Sequence, residues 1–554
     1  MSRKKKRHPV QQLQGLDLPI EELTAIIQRA EVGPISAAES AKLKALVETF
    51  ALLRTELQSK QTSVERLQRM LFGASTEKTC KVLGEAPIQD GSGAYPQDPS
   101  RTEDKREGHG RNAAAAYTGA RKVQIEHPSL HGGDACPGCH TGKVYLMGEP
   151  AKLVRVRAMA PLQATVYECT RLRCGLCGEV YTAAAPEAVG EEKYDASCGA
   201  MVGMLRYGAG LPFNRVEKLQ DGLGIPLPTS TQWDLARGTA ETLSPGHEEL
   251  IRQAAQGNLV HNDDTTMRIL KLTPEQRAAA LGPETGETRT GVFTSGIVAV
   301  GDGHKIALFF TGARHAGENL AEVLKRRAAE LPVPIQMCDG LNHNLTDEFE
   351  TLLSKCILHA RRHFVEVAES FPEEVRFVLE TLRKVYKTDA LARKRGLNPE
   401  ERLQLHQQDS APLMKALKEW MQVQFAERKV EPNSGLGEAI AYMSKHWEGL
   451  TLFLRVKGAP LDNNVCERAL KKAILHRRNS LFYKTLNGAR VGDIFMALIY
   501  TAELNGVPPF EYLLALLRHP EELAANPAAW MPWTYQATLT ALTAGTGPPP
   551  LRSM

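Results

Sequence analysis

The sequence lacks a dense cysteine pattern, a long apolar run and an excess of charge of one sign. Ten cysteines in 554 residues exclude a small disulfide-stabilised scaffold and favour a reduced compartment. The longest dense apolar run, Ile494 to Tyr500, is far shorter than the ~18–20 residues that cross a bilayer. The basic start, residues 1–9, is followed by no apolar segment, so a secretory signal is not expected. We therefore expect a cytoplasmic chain without a membrane span.

The net charge, composition and length of the chain still limit the possible fold classes. The chain has 68 Lys and Arg against 64 Asp and Glu, a formal net charge of +4, and 42% hydrophobic residues. This composition excludes a collagen and a mostly disordered polypeptide, and the length predicts about three to five folding units. A near-neutral net charge does not indicate which partner the chain binds, so the partner must be inferred from local clusters of charge.

The N-terminal region, residues 1–83, carries a coiled-coil pattern. Ser36 and Glu39 have the spacing of a capping box at a helix start. Apolar residues then recur every seven positions, at Leu43, Phe50, Leu57, Val64 and Leu71. The pattern favours a homo-oligomer, with a single amphipathic helix packed on its own domain as the alternative. Residues 84–125, rich in Gly, Ser, Pro and charge, read as a linker.

Two Cys-x-x-Cys pairs define a module over residues 126–189. The pairs are Cys136 with Cys139 and Cys174 with Cys177. Four thiolates from two tight turns can hold Zn²⁺ tetrahedrally and leave no open position, which indicates a structural site. The spacing between the pairs is longer than in common zinc ribbons, so two redox pairs are the alternative. We expect a zinc-ribbon-like module.

Residues 190–256 have a helical pattern and are expected to form a DNA-binding region. Two short helices joined by the turn at Gly222 could form a helix-turn-helix. A helical module that only packs against the core is the equally weighted alternative. The sequence does not decide between them.

After Gly257 the pattern becomes extended. Strands are expected over Asn258–Leu270, Thr290–Val300, Lys305–Phe310, Val333–Asp339 and Lys355–His359, with a helix over Glu318–Leu331 and a second helix before the last strand. This is the element order of a ribonuclease-H-like α/β core, placed at residues 257–500. The fold class is therefore multidomain α+β, with a helical insertion over about 372–455 in the core.

Three acidic residues are candidates for a catalytic metal site. Asp263 lies within the first strand, Asp339 ends the fourth, and Glu467 lies one turn inside a helix that starts near Asp462 or Asn463. Carboxylates on neighbouring elements can hold Mg²⁺ or Mn²⁺. Each acid alone also has a structural interpretation, as a turn residue or a helix-dipole partner.

Basic residues follow the third acid without an intervening acidic one. They are Arg468, Lys471, Lys472, Arg477 and Arg478, and a second cluster contains Arg361 and Arg362. Such clusters beside a metal site predict contacts with DNA phosphates.

Several motifs together resemble the transposases of the insertion sequence 66 family. They are Arg69–Gly73, Ser75–Lys78, the paired Cys-x-x-Cys, Leu211–Arg215, His261–Thr265, Cys356–Phe364 and Asp462–Arg468. The resemblance implies a DDE recombinase with a ribonuclease-H-like core, and it carries the catalytic and Mg²⁺-binding roles over to Asp263, Asp339 and Glu467. The family has Asp-Glu-Thr where this chain has Asp263-Asp264-Thr265, and the register of the motif selects Asp263 as the metal ligand.

The function expected from these patterns is cleavage of the ends of an insertion element and joining of the 3′ ends to target DNA. The alternatives are a non-catalytic zinc-dependent DNA-binding protein and a structure-specific nuclease. The expected partners are double-stranded DNA, further copies of the chain and accessory proteins encoded by the element. The expected location is the cytoplasm, at the nucleoid. Residues 501–554 are expected to be helical and, after about Ala524, loosely ordered.

Overall fold

The structure, a computed structural model, describes residues 192–346 and 348–544, with parts of the earlier stretches 26–44, 129–145 and 161–186. It divides into two compact units of mixed α and β structure. The helical unit contains the described residues up to Lys44 and Ser354–Asp462. The sheet unit contains the described residues from 129 to Leu353 and from Asn463 to 544. No helix in the described residues is long and apolar enough to cross a membrane.

The strands, in chain order, are β1 Arg171–Arg173, β2 Val180–Thr182, β3 Leu259–Thr266, β4 Ile269–Lys271, β5 Phe293–Gly301, β6 His304–Gly312, β7 Ile335–Cys338, β8 Leu352–Lys355 and β9 Tyr483–Thr485. The helices are α1 Ala196–Gly203, α2 Phe213–Gly222, α3 Thr229–Ala254, α4 Pro274–Leu281, α5 Pro283–Thr288, α6 Ala316–Leu324, α7 Ile357–Glu366, α8 Pro372–Lys394, α9 Pro399–Leu405, α10 Ala411–Ala426, α11 Gly435–Lys445, α12 Trp447–Leu450, α13 Asn464–Ser480, α14 Leu486–Leu504, α15 Pro509–Arg518, α16 Pro520–Ala525 and α17 Tyr535–Thr543. Short 3₁₀ turns lie at Asn342–Asn344, Leu452–Leu454 and Pro527–Trp530, and π-helical turns continue α1 at Met204–Gly208 and α9 at His406–Ser410.

The central sheet has five strands in the order β6-β5-β3-β7-β8. The first three are antiparallel neighbours, and β7 runs parallel to β3. A tight hairpin joins β5 to β6: Gly301 pairs with His304, and Asp302 and Gly303 have φ of 49° and 79°. Positive φ at both turn residues matches the right-handed twist of the strands. The parallel pairing puts the carboxyl ends of β3 and β7 at the same edge.

The chain between β7 and β8 differs from the prediction. The described residues there form only the 3₁₀ turn Asn342–Asn344 instead of a second helix. The buried side chains of Asn262 and Gln336 both donate to the Asn344 carbonyl, at 2.7 Å each. The Asn344 carbonyl is therefore hydrogen-bonded to side chains of β3 and β7. The last strand also ends earlier than predicted, at Lys355, and α7 begins at Ile357.

Helices α8 to α12 occupy residues 372–450, the stretch over which a helical insertion is expected. Within the helical unit, Asp389 is an internal anchor. Its Oδ1 accepts from Arg402 Nε at 2.8 Å and lies 3.3 Å from His406 Nε2. Although burial opposes ionisation, these partners lower the pKa of Asp389 to about 2. The carboxylate therefore ties α8 to α9 and to the turn that follows α9.

Predictions for the chain ends have mixed outcomes. The capping box is confirmed, since Ser36 N–H donates to Glu39 and Glu39 N–H to the Ser36 hydroxyl. Most of the heptad pattern and the linker lie outside the described residues. The prediction of a loosely ordered tail after about Ala524 is wrong for the residues up to Thr543. Helices α16 and α17 form in this region, and Trp530, Met531 and Tyr535 are buried.

The two helices around Gly222 also differ from the prediction. They form as α2 and α3, but α3 has 26 residues rather than being short. Its second half is buried at Leu243, Leu250 and Ile251 as part of the apolar core. Much of α3 therefore packs in the core, whereas a recognition helix exposes the surface that reads DNA.

One glycine lets a helix approach the central sheet closely, and another lets a turn approach a helix. A Cβ on Gly296 of β5 would lie 2.9 Å from Leu470 Cδ2 and 3.4 Å from Cys466 Sγ, both on α13. A Cβ on Gly317 of α6 would clash with the Leu345 carbonyl oxygen and lie 2.9 Å from that of His343. The first approach brings α13 onto the sheet, and the second brings the 342–345 turn onto α6.

We predict that Gly317→Ala destabilises the protein by about 1–3 kcal/mol, because backbone rather than a flexible side chain must move. The matched control is Gly312→Ala at the end of β6, where a Cβ would meet nothing within 4 Å. The measurement is the free energy of unfolding in denaturant. Equal stabilities of the two variants would contradict the close approach at Gly317.

Candidate metal centre

Strand β3 presents its side chains alternately to two faces of the sheet. Asp263 pairs with Gly296 and Asp264 pairs with Ser295 on β5. Directly opposite residues point to the same face, so Asp263 faces α13, which contacts Gly296. Asp264 faces α6, because Asn319 of that helix donates to the Ser295 hydroxyl at 2.8 Å. The two neighbouring aspartates therefore belong to different groups of side chains.

The carboxylates of Asp263 and Asp339 both contact the side-chain amide of Asn344. Asn344 Nδ2 donates to Asp339 Oδ1 at 2.6 Å and, more weakly, lies 3.4 Å from Asp263 Oδ1. The Leu341 N–H donates to the same Asp339 oxygen at 3.0 Å, and the Asp264 N–H donates to Asp263 Oδ1 at 2.8 Å. Each carboxylate is thus fixed by a backbone donor and faces the other across Asn344.

Helix α13 carries Glu467 to the neighbourhood of Asp263. Glu467 lies in the first turn of that helix, and the preceding residue, Cys466, is buried with its thiol donating to the Gly296 carbonyl at 3.2 Å. Since Gly296 is the cross-strand partner of Asp263, this contact sets α13 beside Asp263. The charge of Glu467 accordingly contributes to raising the pKa of Asp263.

The carboxylates repel one another. Burial, the largest cause, and the charges of Asp339, Asp264 and Glu467 together raise the pKa of Asp263 to about 7, against the bond from the Asp264 N–H, which lowers it. Mutual repulsion of this kind falls when a cation lies between the oxygens. The donor set is entirely oxygen, which suits Mg²⁺ or Mn²⁺. The residues present therefore fit a divalent cation.

A buried polar network holds β3, β7 and α13 in register. Gln336 Nε2 donates to Asn262 Oδ1 at 3.0 Å, and Asn463 Nδ2 donates to the Asn262 carbonyl at 3.1 Å. Asn463 Oδ1 accepts from His261 Nδ1 at 3.1 Å. Burial lowers the pKa of His261 to about 4, so its ring is neutral at pH 7. Asn463 was expected as a helix cap; it occupies that position, but its side chain binds β3 instead.

Two histidines that were not predicted as site residues lie at the other face of β3, beside Asp264. His315 Nδ1 lies 2.7 Å from Asp264 Oδ2, and His343 Nε2 lies 3.9 Å from the same oxygen. The two imidazole centroids are 4.6 Å apart. His315 and His343 come from different loops, and no spacing links them. The only signal was the His343-Asn344 pair shortly after Asp339.

The basic residues of α13 fall into two groups: some are exposed on one helical face, and others have hydrogen-bond or ion-pair partners within the sheet unit. Arg468, Lys471 and Arg478 are exposed and share one helical face. Lys472 pairs with Glu503 at 2.9 Å. Arg477 donates to the hydroxyls of Thr265, at 3.0 Å, and Thr266, at 2.6 Å, and so ties α13 to the end of β3.

Other predicted site residues lie elsewhere. In the helical unit, Arg361 on α7 is only 7% exposed, while Arg362 is exposed. Burial of Arg361 contradicts its expected role on a DNA-facing surface, because little of its side chain can reach a phosphate. Cys136, Cys139, Cys174 and Cys177 lie outside the described residues.

Comparison with known proteins identifies the family. Residues 192–491 match the Transposase IS66 family, which is more than half of the chain. The chain therefore belongs to this family. It is also similar to two proteins of Sinorhizobium fredii: "Uncharacterized protein y4jD", 24% identical over 82% of this chain and 90% of the relative, and "Uncharacterized protein y4hP", 25% identical over 86% of this chain and 88% of the relative.

The raised pKa of Asp263 predicts a pH-dependent stability in the absence of divalent cations. Its folded-state pKa of about 7 exceeds the ordinary value of 3.8, so the folded state holds the proton more tightly. The stability contributed by the protonated form is therefore lost as pH rises from about 4 to 7. We expect metal-free Asp263→Asn to be more stable than wild type at pH 8, and the difference to shrink towards pH 4.

The measurement is the free energy of unfolding in denaturant with a chelator present, at a series of pH values. Asp302→Asn is the control, because Asp302 is an exposed hairpin residue and Asn tolerates its positive φ. A pH-independent difference between Asp263→Asn and wild type would contradict the raised pKa.

Proposed function

We propose that this protein is a DNA transposase that cleaves the ends of its insertion element and joins the freed 3′ ends to target DNA. The observation that carries the proposal is that Asp263 and Asp339 meet at Asn344 at the sheet edge, while α13 carries Glu467 close enough for its charge to raise the pKa of Asp263. Membership of the Transposase IS66 family supports the same reaction class and the use of a divalent metal.

We propose a ribonuclease-H-like core for the sheet unit. Its support is the strand order β6-β5-β3-β7-β8, with three antiparallel strands followed by a parallel crossover. Asp263 on the first strand and Asp339 after the fourth are at the positions that the predicted core gives to its acids. The division at residues 257–500, with the insertion at about 372–455, is part of this proposal.

In the proposed site, Asp263, Asp339 and Glu467 hold two Mg²⁺ or Mn²⁺ ions. When bound, such a pair activates the attacking oxygen and stabilises the leaving oxygen of an in-line displacement at phosphorus. The chain's own part is to position the ligands. Asn344 and the Leu341 N–H orient Asp339, while Cys466 on Gly296 sets the helix that carries Glu467.

The DNA backbone is proposed to lie along the exposed face of α13. Arg468, Lys471 and Arg478 supply its positive charge, and the helix starts beside the proposed metal ligands. Arg362 on α7 is a further proposed phosphate contact. Lys472 and Arg477 are assigned to positioning, because both have partners within the sheet unit.

The zinc module is also proposed. An antiparallel bridge between Ala135 and Lys143 encloses the first cysteine pair, and the β1–β2 pairing of Arg173 with Val180 encloses the second. The described residues on either side of each cysteine pair are thus close together, which supports the proposal. Four thiolates from two Cys-x-x-Cys pairs suit one structural Zn²⁺.

We predict that Asp263→Asn, Asp339→Asn and Glu467→Gln each reduce end cleavage and strand transfer at least about 1,000-fold, equivalent to about 4 kcal/mol of barrier. The reason is that each substitution removes an anionic ligand while keeping the size of the side chain. The measurement uses the full chain, Mg²⁺, a duplex carrying the repeats that flank the gene and a plasmid target. Asp302→Asn is the control and should retain activity.

Full activity in any of the three variants would refute the assignment of that residue. Cleavage without joining in the wild type would identify a structure-specific nuclease. Tight DNA binding that is indifferent to Mg²⁺ and to all three substitutions, with no cleavage, would identify a non-catalytic DNA-binding protein.

A second prediction concerns the α13 face. The double variant Lys471→Ala with Arg478→Ala should weaken DNA binding and make the slope of log affinity against log salt less negative by about 2, because two phosphate contacts are lost. Arg518→Ala, an exposed arginine at the end of α15, is the matched control. An unchanged salt slope in the double variant would exclude this face from the DNA contact.

A further inference from the structure

We propose that Asp264, His315 and His343 bind a transition-metal cation such as Zn²⁺, at a site separate from the one proposed for Asp263, Asp339 and Glu467. The three residues bring one carboxylate oxygen and two imidazole nitrogens within 4.8 Å of one another. They face α6, whereas the proposed catalytic acids face α13.

The donor spacing is close to that of a metal complex. His315 Nδ1 is 2.7 Å and His343 Nε2 is 3.9 Å from Asp264 Oδ2. Donors around tetrahedral Zn²⁺ stand about 3.3–3.5 Å apart, because each lies about 2.0–2.1 Å from the metal. Small side-chain rotations would therefore bring all three into the coordination sphere.

The three ligands lie on segments that are already held together. Asp264 is on β3, His315 is the N-cap of α6, and His343 is in the turn that contacts Gly317. The Phe293 ring packs on the His315 ring with a centroid distance of 4.0 Å. The site thus requires little ordering of the chain before a cation binds.

The donor types select the metal. Two imidazoles with one carboxylate suit Zn²⁺ and neighbouring transition metals, while Mg²⁺ prefers a full set of oxygen ligands. An ion pair between Asp264 and His315 explains the shorter contact but not the second imidazole, whose ring lies beside that of His315 at a centroid distance of 4.6 Å. Two neighbouring protonated imidazoles would repel each other, whereas a bound cation uses a lone pair from each.

The site has a consequence for the neighbouring acids. His343 precedes Asn344, whose amide bridges Asp339 and Asp263. A cation on His343, His315 and Asp264 would fasten the 342–344 turn to both β3 and α6. Its expected effect is to stabilise the turn that orients the acids, without contacting them.

The test measures bound metal in the full chain. Metal-stripped wild type, His315→Gln and His343→Gln are titrated with Zn²⁺ and, separately, with Co²⁺, in excess Mg²⁺. We expect each variant to bind one cation fewer per chain than wild type, or to bind it at least about tenfold more weakly. The thiolate-to-Co²⁺ absorption of a cysteine site should stay unchanged, so loss of the proposed zinc module is distinguishable.

The matched control is His519→Gln. His519 is also partly exposed, lies 3.7 Å from a carboxylate of Glu522 and stacks on an aromatic ring, that of Trp530. The His519→Gln variant should bind as many cations per chain as wild type. Equal binding by wild type, His315→Gln and His343→Gln would overturn the proposal, as would displacement of Zn²⁺ from the site by millimolar Mg²⁺.

A measurement on wild type covers the case in which a variant does not fold. Diethyl pyrocarbonate modifies accessible imidazoles, and peptide mass mapping locates them. Zn²⁺ should protect His315 and His343 at least about tenfold while leaving His519 reactive. Equal modification of the three histidines with and without Zn²⁺ would overturn the proposal independently of any substitution.

Discussion

The period-two alternation of side chains along β3 is the constraint on which the arrangement of this protein depends. Because successive residues point to opposite faces, His261 and Asp263 face α13, while Asn262 and Asp264 face the opposite side. A shift of one residue in the pairing with β5 would exchange these sets. The buried bonds of His261 and Asn262 oppose such a shift, since each would lose its partner.

The same strand explains how carboxylates are tolerated at the edge of a buried sheet. Isolated buried charges are costly, and like charges nearby add to the cost. The structure offsets part of the cost with fixed N–H donors, from Leu341, Asp264 and Asn344. The remaining cost, from burial first and from repulsion second, appears as the raised pKa of Asp263. It is also the reason why a cation would bind strongly there, since the protein has brought the negative charges together in advance.

Much of the sheet unit could be predicted from the sequence, because its signals are local. The extended pattern after Gly257 predicts strands where β3, β5 and β6 form. The helix expected before β8 was wrong because its backbone is engaged by side chains of other strands, Asn262 and Gln336. Nothing in the segment itself reveals that competition.

The candidate sites show the same contrast between signals that are local in the sequence and contacts between distant segments. Asp263, Asp339 and Glu467 could be proposed one by one from their positions on predicted elements, and their assignment as metal ligands stays a prediction. Their mutual geometry could not be predicted, because it depends on Asn344 and on the contact between Cys466 and Gly296. The His315 and His343 pair had no sequence signal for a similar reason: its two members meet only through the close approach of the turn to Gly317.

The long interval between Asp339 and Glu467 is compatible with a well-defined site because the inserted segment closes on itself. Ile357 N–H donates to the Leu461 carbonyl at 3.0 Å, and the Ser354 hydroxyl donates to the Pro460 carbonyl at 3.3 Å. The two ends of the segment Ser354–Asp462, which contains the inserted helices, are therefore hydrogen-bonded to each other. Loop closure costs entropy that grows only slowly with length, and here the inserted helices have a core of their own. The start of α13 is then fixed by Asn463 on β3 and Cys466 on β5, so the position of Glu467 depends on short contacts with the sheet and not on the length of the chain that precedes it.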